Sequence, residues 1–440
     1  MLTQEENDLL TRVGPGTPMG DLMREYWLPA FMSSELPEPD GPPLRIRLLG
    51  ESLLAIRTTS GKIGLMSHTC PHRGASLFYG RNEQEGIRCV YHGWKFDLEG
   101  HCVDMPAEPT ESNYKDEVRL RAYKCQERNG VIWAYMGPRD QPPPLPDLEA
   151  NMLSEGEATV WTALRECNWA QALEGDIDTS HLAILHLGGL KAEEMTPGTF
   201  EYYTVRDWQP RFRVTDTEYG TMYGGYRPIE DGQHYWRIAQ FLFPFYTLIP
   251  TGTLGQLVSA RAWVPVDDEH TMFWHMSLPR TWQPAGAGPR SSRDGQPFAG
   301  TSTKPKFLPN TTDWYGRWRL QARESNDYYI DREVQRTESY TGIDGVDLQD
   351  QAITESMGPI IDRTNEHLGT SDAMIVRTRR RMMQAAIACR EGAPAPALDR
   401  PELYRQRSGG VVLPRDADWI EATKELREAF ADRPELTGTR

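Results

Sequence analysis

Four residues between positions 70 and 92 are of types that hold metals: Cys70, His72, Cys89 and His92. They form a Cys-x-His pair and a Cys-x-x-His pair, separated by sixteen residues. Two thiolates and two imidazoles on neighbouring loops suit either of two centres. One is a tetrahedral structural zinc. The other is a [2Fe–2S] cluster in which two cysteines hold one iron and two histidines the other. Core cysteines and surface histidines grouped by accident are the remaining alternative. The spacing favours the cluster. A zinc knuckle usually puts two to four residues between its first ligands. Here there is one, Pro71, which fixes φ and extends the backbone. Each pair also supplies one sulfur and one nitrogen, so each loop reaches both irons. Gly74, Gly80, Gly86 and Gly93 allow tight loops, and Tyr91, Trp94 and Phe96 are placed to shield a cluster from water. Such a cluster passes single electrons and does not itself activate a substrate.

A second constellation follows the pattern D-x-x-H-x-x-x-x-H: Asp178, His181 and His186. Asp178 and His181, three apart, would share a helix face. His181 and His186, five apart, point about 140° away from each other on a regular α-helix. Chelation therefore requires a π-like turn or a nearby helix end, and Gly188 and Gly189 supply an ending. Ordinary core packing is the alternative for both histidines. Two imidazoles and a carboxylate make the facial triad of non-haem Fe(II) oxygenases. The carboxylate must come from elsewhere. The helical stretch at residues 345–358 and the position just before it offer Asp344, Asp347, Asp350 and Glu355, each of which otherwise reads as a solvated helix face.

The elements that position these groups can be read more coarsely. At 440 residues, with 38% hydrophobic residues, the chain exceeds what one core usually supports, so two domains are expected. Residues 44–131 hold short β-type runs between Gly and Pro turns, a small all-β unit with the metal pairs on its turns. Residues 138–148 read as an extended linker or strap. From residue 150 the pattern is mixed. T-V-W-T-A-L-R-E suggests a strand entering a helix near Asn168. Residues 199–279 suggest an antiparallel sheet that includes F-E-Y-Y-T-V. Residues 281–306 read as a mobile loop, 313–391 as mostly helical, and the tail after Gly392 as a surface wrap.

The net charge of −15 disfavours nucleic acid and anionic membranes as partners. No apolar run is long enough to span a bilayer, and the N-terminus lacks the pattern of a signal peptide, so a cytoplasmic location is expected. Six cysteines in this length do not make a disulfide scaffold, and Cys102, Cys125, Cys167 and Cys389 read as small buried hydrophobes. G-P-G-T-P-M-G at 14–20 is not a nucleotide loop, and no nicotinamide or flavin fingerprint occurs elsewhere. Arg206, Arg211, Arg213, Arg227, Arg237 and Arg261 are candidates for binding an anion, each otherwise a surface or structural arginine. R-T-R-R-R at 377–381 reads as a solvated helix face, with a reductase dock as the alternative. Three function classes follow: an oxygenase, a Rieske electron carrier without catalysis, and a zinc-stabilised binding protein.

The chain resembles the Rieske non-haem iron oxygenases, in particular the oxygenase (alpha) component of the phthalate 4,5-dioxygenase type. The resemblance runs through L-T-Q-E-E-N-D-L-L-T-R-V-G-P-G-T-P-M-G, C-P-H-R-G-A-S-L, C-V-Y-H-G-W-K-F, N-W-A-Q-A-L-E-G-D-I-D-T-S-H-L-A-I-L-H and Q-D-Q-A-I-T-E-S-M-G. It implies an α+β chain. Residues 1–150, with a core at about 44–135, would form a Rieske domain. Residues 151–440 would form a catalytic domain with an antiparallel sheet flanked by helices, of the helix-grip, START-like kind. It implies that Cys70, Cys89, His72 and His92 hold the [2Fe–2S] cluster, and that His181, His186 and Asp350 hold a mononuclear Fe(II), with Asp347 as fallback. Asp178 would carry electrons between subunits, bonding His92 of a neighbouring copy and His181 of its own chain, within a homotrimer or stacked trimers. Electrons would come from NAD(P)H through a separate flavin and iron–sulfur reductase. Dioxygen and an aromatic, often anionic, substrate complete the reaction. It would be a ring hydroxylation or, alternatively, an O-demethylation or other monooxygenation.

Overall fold

The β-type runs before residue 136 pair into a six-stranded antiparallel sheet. The computed structural model describes residues 1–154, 156–278, 298, 300, 301 and 305–430. It orders this sheet as Trp27–Met32, Val131–Tyr135, Ala122–Arg128, Ile63–Ser67, Glu51–Arg57 and Leu44–Leu48. Four short strands, Arg81–Glu83, Gly86–Arg88, Lys95–Phe96 and Cys102–Asp104, make a second sheet. The two metal-type loops lie beside it. Beneath them sits an apolar cluster of its own, including Leu54, Ile56, Met66, Leu77, Ile87 and Phe96.

Beyond residue 158, runs rich in aromatic and β-branched residues form an eight-stranded antiparallel sheet. Its order is Thr159–Arg165, Thr271–Ser277, Ser259–Pro265, Tyr246–Leu248, Gln233–Leu242, Gly220–Pro228 and Arg211–Thr217. Gly409–Pro414 pairs with Gln233–Leu242 as well. The helices Trp169–Ile177, Val346–Ser356 and Ala373–Arg390 bury Leu173, Ile177, Leu348, Ala352, Met374 and Met382 against this sheet and one another. No helix among the described residues is long and apolar enough to cross a membrane.

Several local expectations change. F-E-Y-Y-T-V is the helix Phe200–Arg206, because the Thr199 hydroxyl caps it by accepting from the Tyr202 N–H. A satisfied cap and the burial of Glu201 and Thr204 outweigh the strand preference of its aromatic residues. The tail does more than wrap the surface: it supplies the strand Gly409–Pro414, and Arg407 pairs with Glu149 in the interior. Residues 313–323 hold no helix, and the helical region begins at Glu324. The loop expected over 281–306 lies, apart from a few positions, outside the described residues.

The R-T-R-R-R run is only in part a solvated face, with Arg377 and Arg380 exposed and the other arginines turned inward. Arg377 pairs with Asp216, Arg381 donates to the Thr217 carbonyl at 2.7 Å, and Arg379 is buried. Arg379 donates to Glu174 at 2.6 and 2.8 Å, and Glu174 also accepts from Arg363 at 3.0 Å. Arg363 in turn donates to Asn7 of the first helix at 3.1 Å. This ion cluster ties the N-terminus and the long helix to Trp169–Ile177, the helix that leads into His181. Burial opposes the Glu174 carboxylate, but Arg363 and Arg379 hold it below the usual range. Its contribution to stability is therefore present above about pH 4.3 and lost as the pH falls through the lower folded value. Glu174→Gln is expected to cost about 3 kcal/mol of unfolding free energy at pH 7, read as an earlier urea midpoint. An unchanged midpoint would show that the cluster contributes little.

Candidate metal centres

The two cysteine loops are built alike. The Cys70 N–H donates to the Ala75 carbonyl and the Gly74 N–H to the Cys70 carbonyl, at 2.8 and 2.9 Å. The Cys89 N–H donates to the Trp94 carbonyl and the Gly93 N–H to the Cys89 carbonyl, at the same two distances. Gly74 and Gly93 both take positive φ, 72° and 80°, which closes each loop without a Cβ clash. The cysteines are buried, whereas His72 is exposed and His92 half-exposed, with their ring centroids 4.5 Å apart. His72 stacks on the buried Trp94 at 4.4 Å. Trp94 and Phe96 are buried under the loops, but Tyr91 is 54% exposed and lies against His92 at the tip, so it does not shield the site from water.

Burial, together with the adjoining Cys89 thiol, pushes the Cys70 thiol up to about 11. A thiolate at Cys70 needs a neighbouring positive charge. No three of the four ligand-type residues bring donor atoms within 4.8 Å of one another. A single tetrahedral zinc would need all four that close. Two sulfurs together and two imidazoles together fit a cluster with two irons.

At the second constellation the helix stops early. Trp169–Ile177 is helical, but Asp178 has extended backbone angles, so Asp178 and His181 do not share a helix face. A 3₁₀ turn follows at His181–Ala183, and the Leu187 N–H reaches back five residues to the Leu182 carbonyl. The stop and the wide turn bring both imidazoles to one side. His181 Nε2 and His186 Nε2 lie 3.1 Å apart, and Asp350 Oδ1 is 3.6 and 3.1 Å from them. Metal bonds of about 2.1 Å meeting at right angles put neighbouring donors about 3 Å apart, so the triangle matches one face of an octahedron.

The outer hydrogen bonds show what these atoms face. Gln349 Nε2 donates to two carbonyls, so its Oε1 accepts from His186 Nδ1 at 2.7 Å. His181 Nδ1 faces Asp178 Oδ2 at 3.4 Å. Both Nε2 atoms therefore present lone pairs toward the Asp350 carboxylate. Three acceptors pointing at one spot make a cation site. With a proton in place of a metal the imidazoles become donors: burial opposes the Asp350 charge, but His186 and His181 in their protonated forms hold the carboxyl well below its usual range. Burial likewise works against a charged His181, and Asp178 and Asp350 outweigh it and raise its pKa.

The other candidate carboxylates lie elsewhere. Asp347, one helix turn before Asp350, is 4.0 Å from Arg261. Glu355 accepts from Tyr328, Gln351 and the Glu166 N–H, and Asp344 is exposed before the helix. A cavity of about 580 Å³ opens beside the triad, lined by Trp161, Leu182, Tyr223, Arg237, Phe307 and Val346 among others. Of the six candidate arginines, Arg237 and Arg261 line it. Arg206 and Arg211 pair at the surface with Glu230 and Asp207, Arg213 lies over Tyr226, and Arg227 is buried away from the lining. Two further residues here carried no signal in the sequence: Gln349, and His275, which lines the cavity from the strand Thr271–Ser277. The partners that reveal them, His186 for Gln349 and Trp161 for His275, lie more than a hundred residues away.

Asp350→Asn is expected to remove roughly one iron per chain while sparing the cluster's visible absorbance, and Asp347→Asn to spare both. Iron assay of the two variants separates the carboxylates, and the reverse result would give the ligand role to Asp347.

Residues 26–124 match the family described as Rieske [2Fe-2S] domain, and residues 134–436 the family described as LigXa C-terminal domain like. Over 434 residues the chain is 48% identical to the 3-chlorobenzoate-3,4-dioxygenase oxygenase subunit of Comamonas testosteroni, covering 98% of this chain and 100% of that one. Over 436 residues it is 38% identical to the phthalate 4,5-dioxygenase oxygenase subunit of Pseudomonas putida, covering 95% and 94%. The crystal structure of dicamba monooxygenase bound to dicamba shares the fold, with a TM-score of 0.55 at 17% identity over 84% of this chain and 99% of that one. With a cluster loop pair, a two-histidine, one-carboxylate triad and these likenesses over nearly its whole length, the chain belongs to the Rieske non-haem iron oxygenases, as an oxygenase component with one [2Fe–2S] cluster and one mononuclear iron.

Proposed function

We propose that the chain hydroxylates an aromatic monocarboxylate, with Arg237 binding the carboxylate. Arg237 is the observation that carries this reading. It is 1% exposed and lines the cavity. Its Nη2 donates to the Pro250 carbonyl at 3.1 Å, while Nε and Nη1 have no partner. A buried guanidinium without a carboxylate is costly unless a ligand supplies one. Arg261 is already paired with Asp176 at 2.5 Å. His275 adds no charge: burial, with Arg261 nearby, pushes it down to about 3, and its Nδ1 accepts from Trp161. One unpaired cation among the described lining residues suits one carboxylate. Two relatives are named for chlorobenzoate and phthalate, which are aromatic carboxylates. The cavity volume suits a single substituted ring.

In this reading Cys70, Cys89, His72 and His92 hold the cluster, and His181, His186 and Asp350 hold the iron. When bound, these groups supply single electrons and dioxygen activation. The protein's own part is to orient. Arg237 anchors the carboxylate, and Trp161, Phe307 and Leu182 enclose the ring and exclude water. Asp178 is held by the Ser180 N–H and hydroxyl at 2.7 and 2.6 Å, which leaves its other oxygen to His181. A carboxylate so placed accepts from two imidazoles, one of its own chain and one, His92, of a neighbouring copy. The exposed Val90 and Tyr91 beside His92 support contact at that tip. Ile184 and Tyr340, exposed near the ligand turn, support it on the other surface. Unlike patches meeting head to tail close a ring, hence a homotrimer or stacked trimers. A separate flavin and iron–sulfur reductase delivers electrons from NAD(P)H. The division into cluster-bearing and iron-bearing units falls near residue 150.

A panel of benzoates, phthalates and methoxybenzoates, run with a surrogate reductase and scored for products, tests the function. Oxidised benzoates are expected. Turnover confined to uncharged aromatics would overturn the reading, and formaldehyde release would mark demethylation instead. Arg237→Met should raise the KM for the carboxylate roughly 100-fold, with a smaller effect on kcat. Asp178→Asn should retain both metals and slow turnover roughly 100-fold. Wild-type turnover in that variant would remove the bridge.

A further inference from the structure

We propose that Gln349 is the positioning residue for His186, a role that rests on the reading of His181, His186 and Asp350 as iron ligands. Gln349 is 1% exposed and directly precedes Asp350 on the helix Val346–Ser356. Adjacent helical residues point about 100° apart. One turn of this helix therefore presents Asp350 to the ligand face and Gln349 to the back of the His186 ring.

Both hydrogens of the Gln349 amide are used. Nε2 donates to the Gly300 carbonyl and to the Ile343 carbonyl, each at 2.8 Å. A flipped amide would set its oxygen against two carbonyl oxygens. The orientation is thus fixed, and Oε1 accepts from His186 Nδ1 at 2.7 Å. That bond fixes the tautomer of His186 and the rotation of its ring, and leaves Nε2 for the metal. The cradle is built closely. Gly300 has φ +75°, and a Cβ there would stand 2.9 Å from Gln349 Nε2 and 3.3 Å from the Ile343 carbonyl oxygen.

The two ligand histidines are therefore oriented by unlike partners. His181 faces Asp178, a charged group with 19% side-chain exposure. His186 faces a neutral, buried amide. The amide sets direction without adding a negative charge beside Asp350.

Gln349→Met keeps length and burial and removes both the acceptor and the donors. The full-length oxygenase, stripped of mononuclear iron, is dialysed against Fe(II). The variant is expected to keep the cluster's visible absorbance and to bind Fe(II) roughly 10–100-fold more weakly. With nitric oxide as probe, the EPR signal of its ferrous site should spread from one species into several. Wild-type affinity with an unaltered signal would overturn the proposal. If Gln349→Met does not accumulate as folded, coloured protein, Gly300→Ala decides. It leaves Gln349 in place but presses on its Nε2, and should weaken Fe(II) binding in the same direction; no change in affinity or signal would count against the proposal. His186→Ala separates the two readings. Wild-type Fe(II) affinity there sinks the ligand assignment itself, whereas loss there with retention in Gln349→Met sinks only the role of Gln349.

Discussion

The iron site depends on a helix that ends. Trp169–Ile177 stops one residue before Asp178, and continuing it would send His181 and His186 about 140° apart. The extended Asp178, the 3₁₀ turn and the wide Leu187-to-Leu182 bond let both imidazoles face one helix of the opposite segment. Side chains anchor this helix along its length, beginning at its N-terminal end. The Asn168 amide donates to the Thr11 and Asp268 carbonyls, and Gln171 donates to the Thr354 and Gly358 carbonyls. Gly175 brings the two helices close, since a Cβ there would meet Thr354 Cγ2 at 3.2 Å. Glu174, between Arg363 and Arg379, fixes the same helix from its other side.

The cluster loops solve a different problem. Two sulfurs sit together in an apolar setting while the two imidazoles stay toward the surface. Repeating one loop geometry at Cys70–Gly74 and Cys89–Gly93 achieves this. The sulfur sinks into the cluster of Met66, Ile87 and Phe96, and Pro71 and Val90–Tyr91 carry each chain outward to its histidine. Burial makes the Cys70 thiol resist ionisation without a cation nearby, so loop closure and metal binding are linked.

In the cavity, neutralisation decides which charges are available. Asp176 occupies Arg261, and Asp350 faces His181 and His186. His275 is kept neutral between Trp161 and Ser259. Arg237 is left with two unmatched nitrogens, Nε and Nη1. A wall with so many ionisable groups thereby presents one free cation among its described residues.

The sequence by itself determined the metal-type residues, the loops that carry two of the pairs, and the antiparallel sheets. These follow from short-range spacing: Cys-x-His with Pro71, glycines at the turns, and strands of β-branched and aromatic residues. The need for a broken helix between His181 and His186 was also legible, because 3.6-residue periodicity forbids the alternative. Tertiary structure decided the rest. Asp347 and Asp350, three apart, share a helix face. Which one reaches the histidines is set by the axial position of the helix, fixed through Arg165 on the Asp347 carbonyl and Gln351. The Phe200–Arg206 helix rests on its cap, and the Gln349–His186 bond joins residues far apart in the chain. Local patterning specifies backbone direction, whereas pairing across long loops is known only once the chain has closed.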